Sequence, residues 1–160
     1  MGVLAVALWQ QTPGVQHPQP VVIPAAAAPA ADSAPCRALS AALPAQLGDY
    51  RRAAAADPVP VGAAAWQATP RGDSVVLRCG LERPGEFVVG SPLQMVDAVQ
   101  WFLVSDPPSP GTATWFAVDR GVYVALTLPA GSGPTPIQEL SEVIAKTMPE
   151  KPLDPGPPRG

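Results

Sequence analysis

Apolar side chains recur at every second position through Val75-Val76-Leu77-Arg78-Cys79-Gly80. In an extended chain successive side chains point to opposite faces, so Val75, Leu77 and Cys79 share one face. The pattern predicts a strand over 74–79 onto which the other elements pack. A small-residue strand over 63–68, with Trp66 as its one large side chain, precedes it, and Thr69-Pro70-Arg71-Gly72-Asp73 is the turn between them. Residues 95–104 read as one longer strand, with room for a turn of helix at its start. Val99, Trp101 and Leu103 line one side and Ala98, Gln100, Phe102 and Val104 the other; two apolar faces mark a central strand. The clearest hairpin joins 113–118 to 122–128, where Val122, Val124, Leu126 and Leu128 alternate with Tyr123, Ala125 and Thr127. Asp119-Arg120-Gly121 makes the connection, and Gly121 suits the left-handed position of a three-residue loop.

Spacings of three and four take over at the two ends. Cys36, Leu39, Leu43 and Leu47 predict a helix starting near 33 and broken at Pro44, capped by Ser33 or Asp32, with Pro35 in its first turn. Ile137, Leu140, Ile144 and Met148 predict a second helix over 136–148. Thr135 is its expected cap, Gln138 completes a capping box and Pro149 stops it. Between the first helix and the first strand, Tyr50-Arg51-Arg52, an alanine run and Pro58-Val59-Pro60 read as loop or a solvated helix face; the basic pair is a candidate anion contact. Residues 82–92 are turn-rich around a short apolar Phe87-Val88-Val89, and 106–111 form an exposed loop. The sum is an α+β domain: an antiparallel sheet of about five strands with an N-terminal and a C-terminal helix on one face. No βαβ repeat is present.

Composition sets the boundaries. The chain has 160 residues, 23 Pro and 14 Gly, and no asparagine, with prolines crowded at both ends. The expected folding unit is therefore 33–149, preceded by a Pro/Ala-rich linker over 10–32 and followed by a disordered Pro/Gly tail over 150–160. Polyproline II at about 3.1 Å per residue would let that linker hold the domain up to ~70 Å from an anchor. Residues 1–9 are apolar and end in Trp9, but are far short of the ~20 residues that span a bilayer. They read as the remnant of a signal or anchor segment, or else as an incidental apolar tip. The two cysteines, Cys36 and Cys79, fit one disulfide in an oxidising compartment; buried thiols and a metal site are the alternatives. A metal site is short of ligands, since the single histidine, His17, lies in the linker. A net charge of −3 argues against nucleic acid and against a polybasic membrane patch.

Chemistry narrows the function classes. The expected domain contains no histidine, which excludes Ser-His-Asp and Cys-His machinery. No phosphate-binding loop with Lys-Ser/Thr occurs. Glu82, Glu86, Asp97, Asp106 and Asp119 leave carboxylate chemistry formally open, and Arg71-Gly72-Asp73 is a chance-level adhesion motif in a turn. Arg78 points away from Cys79 and is placed to sit beside Trp66 or Trp101; with Arg120 it is the candidate grip for a carboxylate or phosphate. Against that stands a purely structural role, stacked on a tryptophan or paired with an acid to cover a sheet face.

Cys36-Arg37-Ala38-Leu39, Ala65-Trp66, Leu77-Arg78-Cys79-Gly80, Val99-Gln100-Trp101 and Asp119-Arg120-Gly121-Val122-Tyr123-Val124 together resemble the actinobacterial domain-of-unknown-function 3515 family. The resemblance spans about residues 36–149. It implies a secreted or membrane-anchored envelope protein, often with an N-terminal transmembrane segment, and implies no activity. The resulting expectation is a non-catalytic envelope binding or interaction module, extracytoplasmic and monomeric. Its partner would be an envelope protein or cell-wall component; no cofactor, metal or nucleic acid is expected, and membrane contact only through the N-terminal segment. The alternatives are a small envelope enzyme using carboxylates near Arg78 and Arg120, or a structural subunit of a membrane complex.

Overall fold

The strand expected at 74–79 is Ser74–Leu81 (β4), and it lies at the centre of one antiparallel sheet. A computed structural model describes residues 18–70, 72–105 and 109–160. The apolar segment 1–9, residues 10–17 of the linker, Arg71 and Asp106 lie outside the described residues. The remaining strands are Gln46–Leu47 (β1), Tyr50–Ala53 (β2), Ala63–Gln67 (β3), Gln94–Val96 (β5), Val99–Leu103 (β6), Ala113–Ala117 (β7) and Tyr123–Leu128 (β8). Their order across the sheet is β1-β2-β3-β4-β8-β7-β6-β5. The helices are Ala34–Ala42 (α1) and Thr135–Thr147 (α2).

Eight strands stand where about five were expected. The additional ones are short, and each owes its place to a tight turn that periodicity does not register. Gly48, at φ 57°, turns β1 into β2. The expected single strand over 95–104 is instead a hairpin: Asp97, at φ 50°, folds β5 back onto β6. Aspartate is among the few non-glycine residues that visit this left-handed region. The helix caps also differ from expectation at one end. Ser33 caps α1, its Oγ accepting from the Cys36 N–H at 3.5 Å. Thr135, however, is already inside α2; Pro134 occupies the cap position without a side-chain bond, so the Thr-x-x-Gln box does not form.

Register decides which face each residue serves. Trp66 opposes Val75, Leu77 opposes Leu126, Cys79 opposes Val124 and Trp101 opposes Ala117. These residues share one face, and α1 and α2 cover it with Cys36, Leu39, Ile137, Leu140, Ile144 and Met148. Within that core Cys36 and Cys79 form a disulfide, Cα–Cα 5.7 Å, closing 43 residues. Such bonds persist in oxidising compartments and are rare in the cytoplasm, which points to an extracytoplasmic location. No helix among the described residues is long and apolar enough to cross a membrane.

Gly80 completes the Leu-Arg-Cys-Gly segment for a steric reason. Its φ is +86°, and a Cβ there would lie 2.3 Å from both the Ala30 carbonyl carbon and the Ala31 nitrogen. The chain leading into α1 crosses β4 at this point, and the Ala30 N–H donates to the Gly80 carbonyl at 3.0 Å. Only a residue without a side chain lets two backbones meet this closely.

The packed unit reaches beyond the expected 33–149 on both sides. On the face away from the helices, Val21 and Ile23 are buried over Ala65, with Ala53, Ala63 and Val76 around them. Val21 bonds in both directions to the segment after β2: its N–H to Ala54 O and its carbonyl from Ala56 N, both 2.8 Å. At the other end the Lys151 N–H donates to Asp119 O at 2.8 Å, and Gly156 exchanges backbone bonds with Phe87 and Val89. Phe87, Phe102 and Val118 form a third apolar cluster nearby. Low-complexity composition did not mark these segments as packed, because isolated apolar residues among prolines carry no period.

Candidate functional site

Both candidate tryptophans are core. Trp66 is fully buried, donating Nε1–H to Pro44 O at 2.9 Å, and the guanidinium of Arg52 lies 5.2 Å from its ring centroid. Trp101 is fully buried too; its Nε1–H donates to Ser141 Oγ at 2.9 Å, and that hydroxyl donates on to Ile137 O at 2.6 Å. Indole N–H groups need such partners when they leave water.

Arg78 sits on the opposite face, in a row with Ala63 and Ala125. Strand alternation puts it away from Trp66 and Trp101, so the expected neighbourhood does not form. It is half-buried. Burial holds its pKa below the ordinary guanidinium value, and its Nε has no partner among the described residues.

Arg120 is engaged elsewhere through its two Nη groups, while its Nε has no partner among the described residues. Its Nη1 lies 3.0 Å from Asp119 Oδ1, with both side chains 2% exposed or less. It donates to Asp119 O at 3.0 Å and to Ala98 O at 2.9 Å, while Asp119 Oδ2 accepts from Gln100 N at 3.1 Å. The pair ties the β7–β8 turn to the β5–β6 hairpin. That turn does not use Gly121 in the left-handed conformation; its shape comes from this buried ion pair. Burial pushes the Asp119 carboxyl above its usual pKa, opposed by the Arg120 charge and the Gln100 N–H.

The other carboxylates are spread over separate turns. Glu82 follows β4 and is exposed, and Asp97 makes the β5–β6 turn. Hydrogen bonding from the Ser105 side chain, and from the Ser105 N–H at 3.0 Å, lowers the Glu86 pKa. Glu86 lines a cavity of about 390 Å³ with Val88, Phe102 and Arg159. No cluster of three or more potential metal-ligating His, Cys, Asp or Glu occurs among the described residues. The structure therefore does not gather Arg78, Arg120, Trp66 and Trp101 into one open site.

A different constellation does come together. A groove of about 310 Å³ opens on the helix-free side of the sheet, between the strap at Pro18–Gln19–Pro20 and the end of the β2–β3 hairpin. Its walls include Ala53, Ala54, Ala68 and Pro70. Gln19 N–H fastens the strap to Pro70 O at 3.2 Å. Arg51 and Gln67 are cross-strand partners, so both project to the groove side. Among the described residues Gln67 Oε1 is buried without a hydrogen-bond partner and Arg51 makes no ion pair. The Arg51-Arg52 pair was visible in sequence, but as a loop or helix face it had no direction. As a strand it is split: Arg52 goes to Trp66 and Arg51 to the groove. The turn residues Gly48-Asp49 were the signal that a strand begins at Tyr50.

Fold and site together define a disulfide-stapled α+β domain carrying an apolar groove lined by Arg51, Arg52 and Gln67. The chain belongs to the family described as protein of unknown function DUF3515, whose model matches residues 1–153. No curated protein and no solved structure matches the chain.

Proposed function

We propose that this protein is a binding module of the cell envelope, tethered outside the cytoplasm through its N-terminal segment and acting by recognition rather than catalysis. The observation that carries the reading is the groove beneath the strap. Ligand sites are concave, mostly apolar and furnished with a few placed polar groups. This groove has alanine and proline walls with Arg51, Arg52 and Gln67 among them. The disulfide supports the extracytoplasmic address. The strap that walls the groove follows directly in sequence from the apolar residues 1–9 and the linker, so a tether at that end would present the groove close to its attachment.

Site-specific photocrosslinking in intact cells tests this. A crosslinking residue replaces Thr69 on the groove rim or, as control, Glu142 on the exposed side of α2. A discrete adduct from position 69, lost when Arg51 and Gln67 are replaced by alanine and missing from position 142, is the expected result. Identical adducts from both positions, or an adduct at 69 indifferent to Arg51 and Gln67, would overturn the reading. A C-terminal reporter active only outside the cytoplasm checks the address; a silent reporter contradicts it.

A further inference from the structure

We propose that Arg83, the segment 87–89 and Tyr123 form a recognition site for an extended proline-rich segment of a partner protein, and that residues 154–159 of this chain occupy it as a displaceable internal ligand. The site is separate from the groove beneath the strap, and the inference stands whether or not that groove binds. Residues 154–159 read Asp-Pro-Gly-Pro-Pro-Arg. Proline carries no N–H, so Gly156 holds the one backbone donor between 155 and 158. That N–H donates to Phe87 O at 2.9 Å, and Gly156 O accepts from Val89 N at 3.0 Å. The two bonds make an isolated parallel bridge centred on Val88, outside the strands of the sheet. Addition of an extended peptide to backbone groups that no strand has paired is a general mode of peptide recognition.

Side chains fix the ends of the bound segment. The Asp154 carboxylate lies 3.5 Å from Arg83 Nη1, and the Asp154 carbonyl accepts from Arg83 Nη1 at 3.0 Å and from Tyr123 OH at 3.2 Å. Burial, and then the Asp154 charge, raise the Tyr123 pKa and keep the phenol a donor. At the far end Pro158 and Arg159 line the 390 Å³ cavity together with Glu86. The site therefore selects an acid, then proline on both sides of one N–H, then a base. A Cβ at 156 would lie 3.4 Å from Phe87 O, an ordinary contact, so the middle position takes alanine as well as glycine.

The internal occupant is held lightly and fills the site incompletely. Within 151–160 only Gly156 is buried and Pro155 half-buried, so departure of the segment uncovers little core. Its ion pair is solvated, and such pairs contribute little. Val89 and Leu103, both walls of the cavity, remain 55% and 44% exposed. A foreign segment with a larger apolar side chain at the place of Pro158 would cover them, which a second copy of 154–159 would not.

The test titrates the full, disulfide-intact chain with a fluorescent synthetic peptide of residues 153–160, read by anisotropy. Beside it stands a full-chain variant carrying Asp154→Arg and Gly156→Pro, which reverses the charge facing Arg83 and removes the N–H given to Phe87. The variant should bind the peptide about tenfold or more tighter than the parent, because a site already filled lowers apparent affinity by its free fraction. Adding Arg83→Glu should lose about tenfold, and a peptide with arginine in place of its acid should recover it. Leucine in place of Pro158 should tighten binding. In the unaltered chain, hydrogen exchange at the Val89 amide should outpace that of the β4 amides through local opening. Equal binding by parent and variant, or indifference to Arg83, overturns the site. A Val89 amide as protected as β4, or a variant with a collapsed melting temperature, makes the segment part of the fold and overturns its displacement. No gain from leucine, or concentration-dependent dimers of the parent that the peptide dissolves, overturns the foreign partner.

Discussion

Replacing Gly80 with alanine should be among the most damaging single-methyl additions in this protein. The added Cβ would sit 2.3 Å from Ala30 C and from Ala31 N. Both are backbone atoms, so no side-chain rotation relieves the clash; either the crossing chain lifts or β4 distorts. The left-handed φ of +86° adds a cost of roughly 1–2 kcal/mol for a residue with a Cβ. Overpacking adds about 1–3 kcal/mol. Reduced freedom of the unfolded chain returns about 0.4–1 kcal/mol, leaving a net loss on the order of 2–4 kcal/mol. Domains of this size hold about 5–15 kcal/mol in total, and each kcal/mol lowers Tm by roughly 2–4 °C, so a fall near 5–15 °C is expected. The control is Gly121→Ala: nothing lies within 4 Å of a Cβ there and its φ is not left-handed, so the change should stay within about 0.5 kcal/mol. Urea unfolding of both variants, with the disulfide intact, measures the two numbers. A Gly80→Ala protein as stable as the parent, or a Gly121→Ala protein equally damaged, would refute the crossing as the reason for the glycine.

Other expectations follow from the same contacts. Replacing Cys36 and Cys79 together by alanine reopens a 43-residue loop and should cost about 4 kcal/mol on the chain-entropy estimate, read by denaturant unfolding against the oxidised parent. Arg120→Ala leaves Asp119 buried without its cation and should cost about 3–5 kcal/mol; a change below about 1 kcal/mol would show that the pair is not what holds the turn. The Asp119 carboxyl has a folded pKa above its unfolded value, so its contribution is complete below the unfolded pKa of about 3.9 and is lost as pH rises through the folded value. The stability difference between parent and Asp119→Asn should therefore shrink as pH is raised from about 4 toward 7, and a difference that grows over that range contradicts the assignment. Glu86 has the opposite sign: its lowered pKa contributes stability above the unfolded value that is lost as pH falls.

What could be read from sequence was the part governed by period and by counting. The 3.6 spacing of Leu39, Ile137, Leu140 and Ile144 and the alternation of Val75, Leu77 and Cys79 identified both helices and the central strand, because burial imposes those repeats. Two cysteines on apolar faces met as the simplest pairing requires. The strands of two to four residues were missed because such runs are shorter than any period can reveal. Met95 to Val104 looked continuous because Asp97 is an unusual turn former. The site was harder. Arg78 and Trp66 lie on neighbouring strands, three register positions apart, but on opposite faces, a difference fixed only by register between strands. Arg120 resembled a ligand grip and is instead an internal tie. The groove depends on a strap with no periodic signal, and its polar pair Arg51–Gln67 joins positions sixteen residues apart through a β2–β3 pairing that sequence left unassigned.

Alkylation in intact cells tests most directly the claim on which fold and address both depend, that an exported chain is held by one sulfur bridge. Cells are lysed into a thiol-reactive label under denaturing, non-reducing conditions, and the peptides carrying Cys36 and Cys79 are weighed with and without prior reductant. Both cysteines should remain unlabelled until reductant is added, the two peptides running as one linked mass. Full labelling of both without reductant would mean that the bridge is missing in the living cell, and the extracytoplasmic address would fall with it.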